Sequence, residues 1–168
     1  MLPDNPFQRP DSSSLLAERE TRRLVRVTWE NSENAEYFFG FVSGYAGSVF
    51  QSRTAERVVL ASQELLENAM RYSLMMKEVA YELSVTQIEV RVSVKNTTIS
   101  SRIEMLRTQL QRIQEDPERT YTAELERSTS GSGRRAMLGL VRICHEVHMV
   151  LKASVDGGAV TVTASCPR

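Results

Sequence analysis

Apolar residues recur at every second position in five stretches of the chain. In the stretch from Ile88 to Val94, for example, apolar side chains alternate with Glu89, Arg91 and Ser93. Alternation of this kind, with many β-branched residues, predicts strands that bury one face and leave the other wet. The five predicted strands are Arg22–Trp29, Val79–Val85, Ile88–Val94, Val147–Val155 and Ala159–Ala164.

Short connections join four of these strands into two hairpins. Thr86 and Gln87 separate the second and third strands, and Asp156-Gly157-Gly158 separates the last two. An Asp-Gly pair between alternating strands is a strong signal for a tight hairpin turn. The sequence therefore predicts antiparallel pairing at both places.

Other stretches repeat their apolar residues every three or four positions, which predicts helices. The clearest is Thr54–Ser73, where Val58, Ala61, Leu65 and Ala69 form one apolar row. The aromatic stretch Asn34–Gln51 is less clear, because its three glycines weaken a helix. Further helices are predicted at Ser100–Gln114, Glu118–Arg127 and Arg134–His145, and Pro117 ends the first of these three.

Helices that lie between antiparallel hairpins predict an α+β fold. We expect a two-layer α/β sandwich, with a mixed, mainly antiparallel sheet and its helices on one face. Residues 1–20 contain three prolines and a run of three serines, which predicts a flexible N-terminal arm. Residues 21–168 then form a single domain.

The composition of the chain argues against several classes of function. Lys plus Arg and Asp plus Glu are both 21, so the net charge of +0 argues against a nucleic-acid partner. No apolar run is long enough to span a membrane, and the N-terminus lacks the pattern of a signal peptide. Two cysteines supply no disulfide framework. These features predict a cytoplasmic protein without a membrane or nucleic-acid partner.

The segment Glu64 to Ser73 carries the most informative chemistry. Glu64 and Asn68 are four residues apart, so a helix places them on one face. The amide oxygen of Asn68 can hold a magnesium ion, and the carboxylate of Glu64 can activate a nearby water or hydroxyl. The plain alternative is an exposed polar helix face with no special role.

This segment resembles the N box of the histidine-kinase-like (GHKL) ATPases, which include sensor histidine kinases, DNA gyrase and the anti-sigma-factor serine kinases. The order of elements from about Thr54 to Ser165 also matches that family. The resemblance implies a histidine-kinase-like ATPase fold, with Glu64 as the catalytic base and Asn68 as the magnesium ligand. It also implies a turn at Lys95–Thr98 and a lid at about Ile99–Gly133 that closes over ATP.

The two glycine boxes of the family are degenerate in this chain. The family has an adenine-binding aspartate and glycines in its first glycine box. At that place this chain has Val94-Lys95-Asn96-Thr97-Thr98, where Asn96 is a weak substitute for the aspartate. In the second glycine box, which forms the phosphate-binding turn of the family, only Gly139 matches a glycine of the family pattern. Gly131 and Gly133 lie just upstream, and Arg134 and Arg135 can meet phosphate directly or form a solvated helix start. We therefore expect binding of ATP and magnesium to be weak or absent.

Three hypotheses follow. The first is a degenerate, pseudo-ATPase module of a bacterial-type signalling pathway that binds a protein partner, either a sigma factor or a STAS-type antagonist in partner switching. The second is a divergent ATP-dependent protein serine kinase that uses Glu64 and Asn68. The third is a scaffold that forms a homodimer through the aromatic stretch Asn34–Gln51.

Overall fold

The computed structural model describes residues 21–30, 35–74, 78–129 and 135–168. The predicted arm at residues 1–20 lies outside this part of the chain. Five strands form one sheet in the order β1-β2-β3-β5-β4, and every pairing between neighbouring strands is antiparallel. The strands are β1 (Arg22–Glu30), β2 (Glu78–Val85), β3 (Glu89–Thr97), β4 (Val150–Asp156) and β5 (Ala159–Pro167).

Five helices accompany the sheet in the described residues, and all five correspond to predicted helical stretches. They are α1 (Ala35–Val49), α2 (Ser52–Tyr72), α3 (Ser100–Glu115), α4 (Pro117–Thr129) and α5 (Arg135–His145). Within the ranges that the structure describes, no helix is both long enough and apolar enough to cross a membrane.

Helix α1 forms in spite of the glycines that weakened its prediction. Gly40, Gly44 and Gly47 lie on its exposed side, where an added β-carbon would meet nothing within 4 Å. The opposite side buries Val42 and Ala46, which are 3% and 0% exposed. Packing against α2 therefore compensates for the poor helix propensity, which is about 1 kcal/mol per glycine.

The two faces of the sheet differ in polarity. In β3, Val90, Val92 and Val94 are buried, while Glu89 and Arg91 on the other face remain partly exposed. The buried face packs against α2, whose Val58, Leu65 and Leu66 are at most 2% exposed. The predicted two-layer α/β sandwich is thereby confirmed, with a sheet that is antiparallel throughout rather than mixed, and its outer face carries polar side chains.

The turn predicted at Lys95–Thr98 is wrong for most of its length. Strand β3 continues to Thr97, and Asn96 pairs with Val79 of β2 and with Val160 of β5. Pairing on both sides satisfies the backbone polar groups that a turn would leave open. Asn96 therefore belongs to a central strand of the sheet, and its amide points to the buried face.

Candidate functional site

Helix α2 carries three polar side chains near its buried side. Ser62 and Glu64 are 1% and 8% exposed, and Asn68 is half-buried. A polar group that leaves water is costly unless it gains a hydrogen-bond partner in the protein. The partners of these three groups therefore indicate what each one does.

The carboxylate of Glu64 is bound by Arg142 of α5. Arg142 Nη1 donates to Glu64 Oε1, and its Nε donates to Glu146 Oε1 at 2.9 Å. The Glu64 side chain is 9% exposed and the Arg142 side chain 35%. Tyr121 of α4 donates its hydroxyl to Glu146 Oε1 at 3.1 Å, so the network joins three helices. We call these four residues the Glu64 network.

Gly139 leaves room for the Glu64 carboxylate. A β-carbon at Gly139 would overlap Glu64 Oε2 and would lie 3.1 Å from the carboxyl carbon of Glu64. Among the glycines that the structure describes, this is the one whose β-carbon would overlap another group. The absence of a side chain at position 139 thus lets α5 approach α2 closely enough for Arg142 to reach Glu64.

Burial and the neighbouring charges act in opposite directions on Glu64. Burial raises the pKa of its carboxyl above the ordinary value, and the Arg142 guanidinium opposes that rise. The pKa of Glu146 is lowered, chiefly because Arg142 donates hydrogen bonds to it. The two carboxyls therefore share one cation, but the pKa of Glu64 is raised and that of Glu146 is lowered.

Asn68 lies one helical turn after Glu64 and faces a cavity that Glu64 does not line. With Asn96 it lines a cavity of about 30 Å³ between α2, α3 and the sheet. The side chains of Asn68 and Asn96 have no hydrogen-bond partner among the residues that the structure describes. The other lining residues are Leu65, Ala69, Tyr72, Val94, Thr98, Arg102, Met105, Leu106, Gln109, Val160 and Val162.

Three of the lining residues, Tyr72, Thr98 and Arg102, contact one another at the end of α2. The carbonyl oxygen of Tyr72 accepts from Thr98 Oγ1 at 2.7 Å and from Arg102 Nη1 at 2.9 Å. The Arg102 guanidinium also lies over the Tyr72 ring, 5.5 Å from its centre. Helix α3, which occupies the first half of the predicted lid, buries Leu110 and Ile113 in the core. This half of the predicted lid is therefore a packed helix.

No protein-family model matches the chain, and no curated protein sequence matches it. Among solved structures, the chain is similar to a chain of the crystal structure of the SiaB–SiaC complex from Pseudomonas aeruginosa. The TM-score is 0.62 at 15% sequence identity, and the match covers 96% of this chain and 100% of that chain. At this level of identity the likeness concerns the fold alone.

The structure separates the residues that the sequence predicted as one site. Glu64 lies in the Glu64 network with Gly139, while Asn68 and Asn96 line the cavity. Arg135 opens α5, but its side chain lies outside the described part, as do Gly131, Gly133 and Arg134. The predicted roles of these four in phosphate binding stay predictions.

ATP with magnesium does not fit the cavity as the described residues form it. Pockets for ligands of this size are typically about 300–1,000 Å³, whereas this cavity measures about 30 Å³. That volume suits one or two water molecules. The amide of Asn68 has the right chemistry for a magnesium ligand, but mainly apolar side chains surround it.

Arg142 is the residue of the Glu64 site that the sequence reasoning missed. It is 78 residues from Glu64, and contacts between residues so far apart leave no periodic signal in one sequence. The spacing between Arg142 and Glu146 is four residues, which is the spacing of a helical ion pair. That signal identifies Arg142 as a residue of a charged helix face, but not as the partner of Glu64.

Proposed function

We propose that this protein is a regulatory module that binds a protein partner, on a histidine-kinase-like ATPase fold that has lost nucleotide binding. One observation carries the proposal. The carboxylate of Glu64 is bound to Arg142 and buried beside Gly139, and Glu64 is not among the residues that line the cavity of Asn68.

A general base must reach the proton that it removes, within about 3 Å or through one water. Glu64 is not among the residues that line the cavity, and Arg142 occupies the carboxylate. Protonation of Glu64 would weaken the ion pair with Arg142, so Arg142 opposes protonation of this carboxylate while burial favours it. In our proposal Glu64 therefore holds α2 and α5 together, and phosphoryl transfer is lost.

Support for a protein partner comes from two sides. The solved structure to which the chain is similar is a complex of two proteins. The chain also presents an aromatic surface on α1, formed by Tyr37, Phe41 and Tyr45, in which Tyr37 is 83% and Phe41 51% exposed. Exposed aromatic clusters commonly mark binding surfaces. We propose a sigma factor or a STAS-type antagonist as the partner class.

Calorimetric titration with ATP and with ADP in magnesium tests the loss of nucleotide binding. Each missing hydrogen bond costs about 1–3 kcal/mol, and about 1.4 kcal/mol is tenfold in affinity. We expect a Kd of about 1 mM or weaker, since the adenine aspartate and several phosphate donors are missing. Micromolar affinity that disappears in the double variant Arg134→Ala/Arg135→Ala would overturn the proposal.

A divergent serine kinase is the second candidate, and one observation favours it. The amides of Asn68 and Asn96 face the same cavity and have no partner within the described ranges. If α3 moved away, both amides would meet a nucleotide that entered there. Pull-down of the partner followed by phosphoserine mass spectrometry separates the candidates.

In that experiment we compare Asn68→Ala with Gln63→Ala, a change at an exposed position of the same helix. A binding module gives the same partner yield for both variants, without phosphoserine. Phosphorylated partner that is lost with Asn68→Ala and kept with Gln63→Ala would establish the kinase. The change Tyr37→Ser/Phe41→Ser should reduce partner yield at least about tenfold, since buried aromatic anchors carry much of an interface's energy.

A further inference from the structure

The two edges of the sheet differ in how well they are protected from pairing. Strand β1 has an irregular register between Arg23 and Val25, and it presents exposed arginines at 22, 23 and 26. Irregular registers and charged side chains are the usual means of blocking edge-to-edge association. Strand β4 pairs with β5 in unbroken register from Val150 to Asp156 and contains a single cation, Lys152.

The β4 edge also carries exposed apolar surface. Val150 is 56% and Val155 38% exposed. Beside the strand runs a groove of about 330 Å³, with Ile113 and Pro117 on its helical side and Met149 on its strand side. An open strand edge next to an apolar groove is the arrangement to which an additional strand binds.

The charges of β4 complement a second copy of the same strand. Lys152 and Asp156 are exposed, and neither has an ion-pair partner among the described side chains. A two-fold axis through Ser154, perpendicular to the sheet, would place Lys152 of each copy opposite Asp156 of the other. Residues directly opposite in an antiparallel pair share a face, so both ion pairs form on the outer face.

We infer that β4 pairs antiparallel with β4 of a second copy about this axis, so that two molecules form one continuous ten-stranded sheet. The backbone groups of both edges then gain hydrogen bonds, and the helices of both copies lie on the same side. The occupant is a second copy because this register pairs both charged residues of β4 with the identical strand. The inference does not depend on the proposed function.

A charge exchange tests the register. We expect Lys152→Asp and Asp156→Lys each to weaken dimerisation about tenfold, because each change turns two attractive cross-strand pairs into repulsive ones. The double variant Lys152→Asp/Asp156→Lys should return to within about threefold of the unchanged protein. Sedimentation equilibrium measures the dimer Kd. The matched control is Lys95→Asp, an exposed lysine on the central strand β3, which should have no effect.

A crosslink provides an independent check. Opposite residues of paired strands have Cα atoms about 4.5–5.5 Å apart, within the range that a disulfide spans. Ser154→Cys should therefore give a covalent dimer on mild oxidation, whereas the unchanged protein, with Cys144 and Cys166, should not. A protein that stays monomeric at every concentration overturns the inference. So does a dimer that neither single charge change weakens, or binding of an extended peptide at β4 by a monomer.

Discussion

Glu64 and Asn68 are one turn apart on the same helix, yet their surroundings differ in every respect that matters for chemistry. Glu64 is buried, paired with a guanidinium and in contact with α5. Asn68 is half-buried, faces a small cavity and has no side-chain partner in the described residues. Helical spacing brings two side chains to one face, but the elements that pack on that face decide what each can do.

The same comparison separates structural from chemical roles. A carboxylate held in an ion pair stabilises the contact between two helices, and its removal should change stability. An amide without a partner contributes little to stability, so its removal should change only a binding function. The following predictions use this difference, from the largest expected effect to the smallest.

Arg142→Ala should reduce the free energy of unfolding by about 2–3 kcal/mol. The change leaves the Glu64 carboxylate buried without its cation, although the partial exposure of Arg142 lets water reach the pair. Urea denaturation measures the loss. Arg23→Ala, which removes an exposed pair with Glu82, serves as the control and should cost at most about 1 kcal/mol. Equal losses in both variants would contradict a structural role for the Glu64 pair.

The pH dependence of Arg142→Ala should show whether lost ion pairing or lost packing is responsible for its cost. The folded-state pKa of Glu64 is raised above 4.5, so its contribution favours folding at low pH and is lost as the pH rises through the folded value. Loss of Arg142 removes the opposing charge and raises that pKa further. The cost of Arg142→Ala should therefore shrink as the pH falls from neutral toward about 4.5. A cost that is constant with pH would assign the effect to packing.

Gly139→Ala should cost about 2 kcal/mol, because its methyl group displaces the Glu64 carboxylate from Arg142. In a Glu64→Ala background the obstacle is gone, and the better helix propensity of alanine should make the same change neutral or stabilising by up to about 1 kcal/mol. A double-mutant cycle in urea measures this reversal of sign. Additive costs would show that position 139 is sensitive for a reason other than Glu64.

Ser62→Ala should cost about 1–2 kcal/mol, and Tyr81→Phe less than about 1 kcal/mol. Ser62 donates to the Val58 carbonyl at 2.6 Å, so its oxygen accepts from the Tyr81 hydroxyl at 2.9 Å. Burial raises the pKa of Tyr81 to about 12, and loss of Ser62 leaves that hydroxyl buried without a partner. Thermal unfolding of the two variants measures the asymmetry. A larger loss for Tyr81→Phe would reverse the assigned donor.

Asn68→Leu should change the free energy of unfolding by less than about 1 kcal/mol. The amide has no hydrogen bond to lose within the described part of the chain, and leucine adds apolar contact in the cavity. Chemical denaturation measures the change. A loss above about 2 kcal/mol would show that the amide holds a buried partner, such as a bound water.

Much of the secondary structure follows from the sequence, because alternation and helical periodicity are local. The last hairpin was predicted as Val147–Val155 and Ala159–Ala164 and is Val150–Asp156 and Ala159–Pro167. Periodicity does not determine the strand order or the continuation of β3 through Asn96, since both depend on distant pairing. The site was predicted as one unit because spacing along α2 is visible in the sequence, whereas the approach of Arg142 is not.

The close fit of Glu64, Gly139 and Arg142 has a consequence for how such a protein changes by descent. While Glu64 is present, any side chain at position 139 overlaps its carboxylate, and loss of Arg142 leaves that carboxylate uncompensated. Once Glu64 is replaced by a small neutral residue, both other positions become tolerant. Substitutions in this trio are therefore coupled, and replacement of Glu64 first lowers the cost of replacing Gly139 or Arg142.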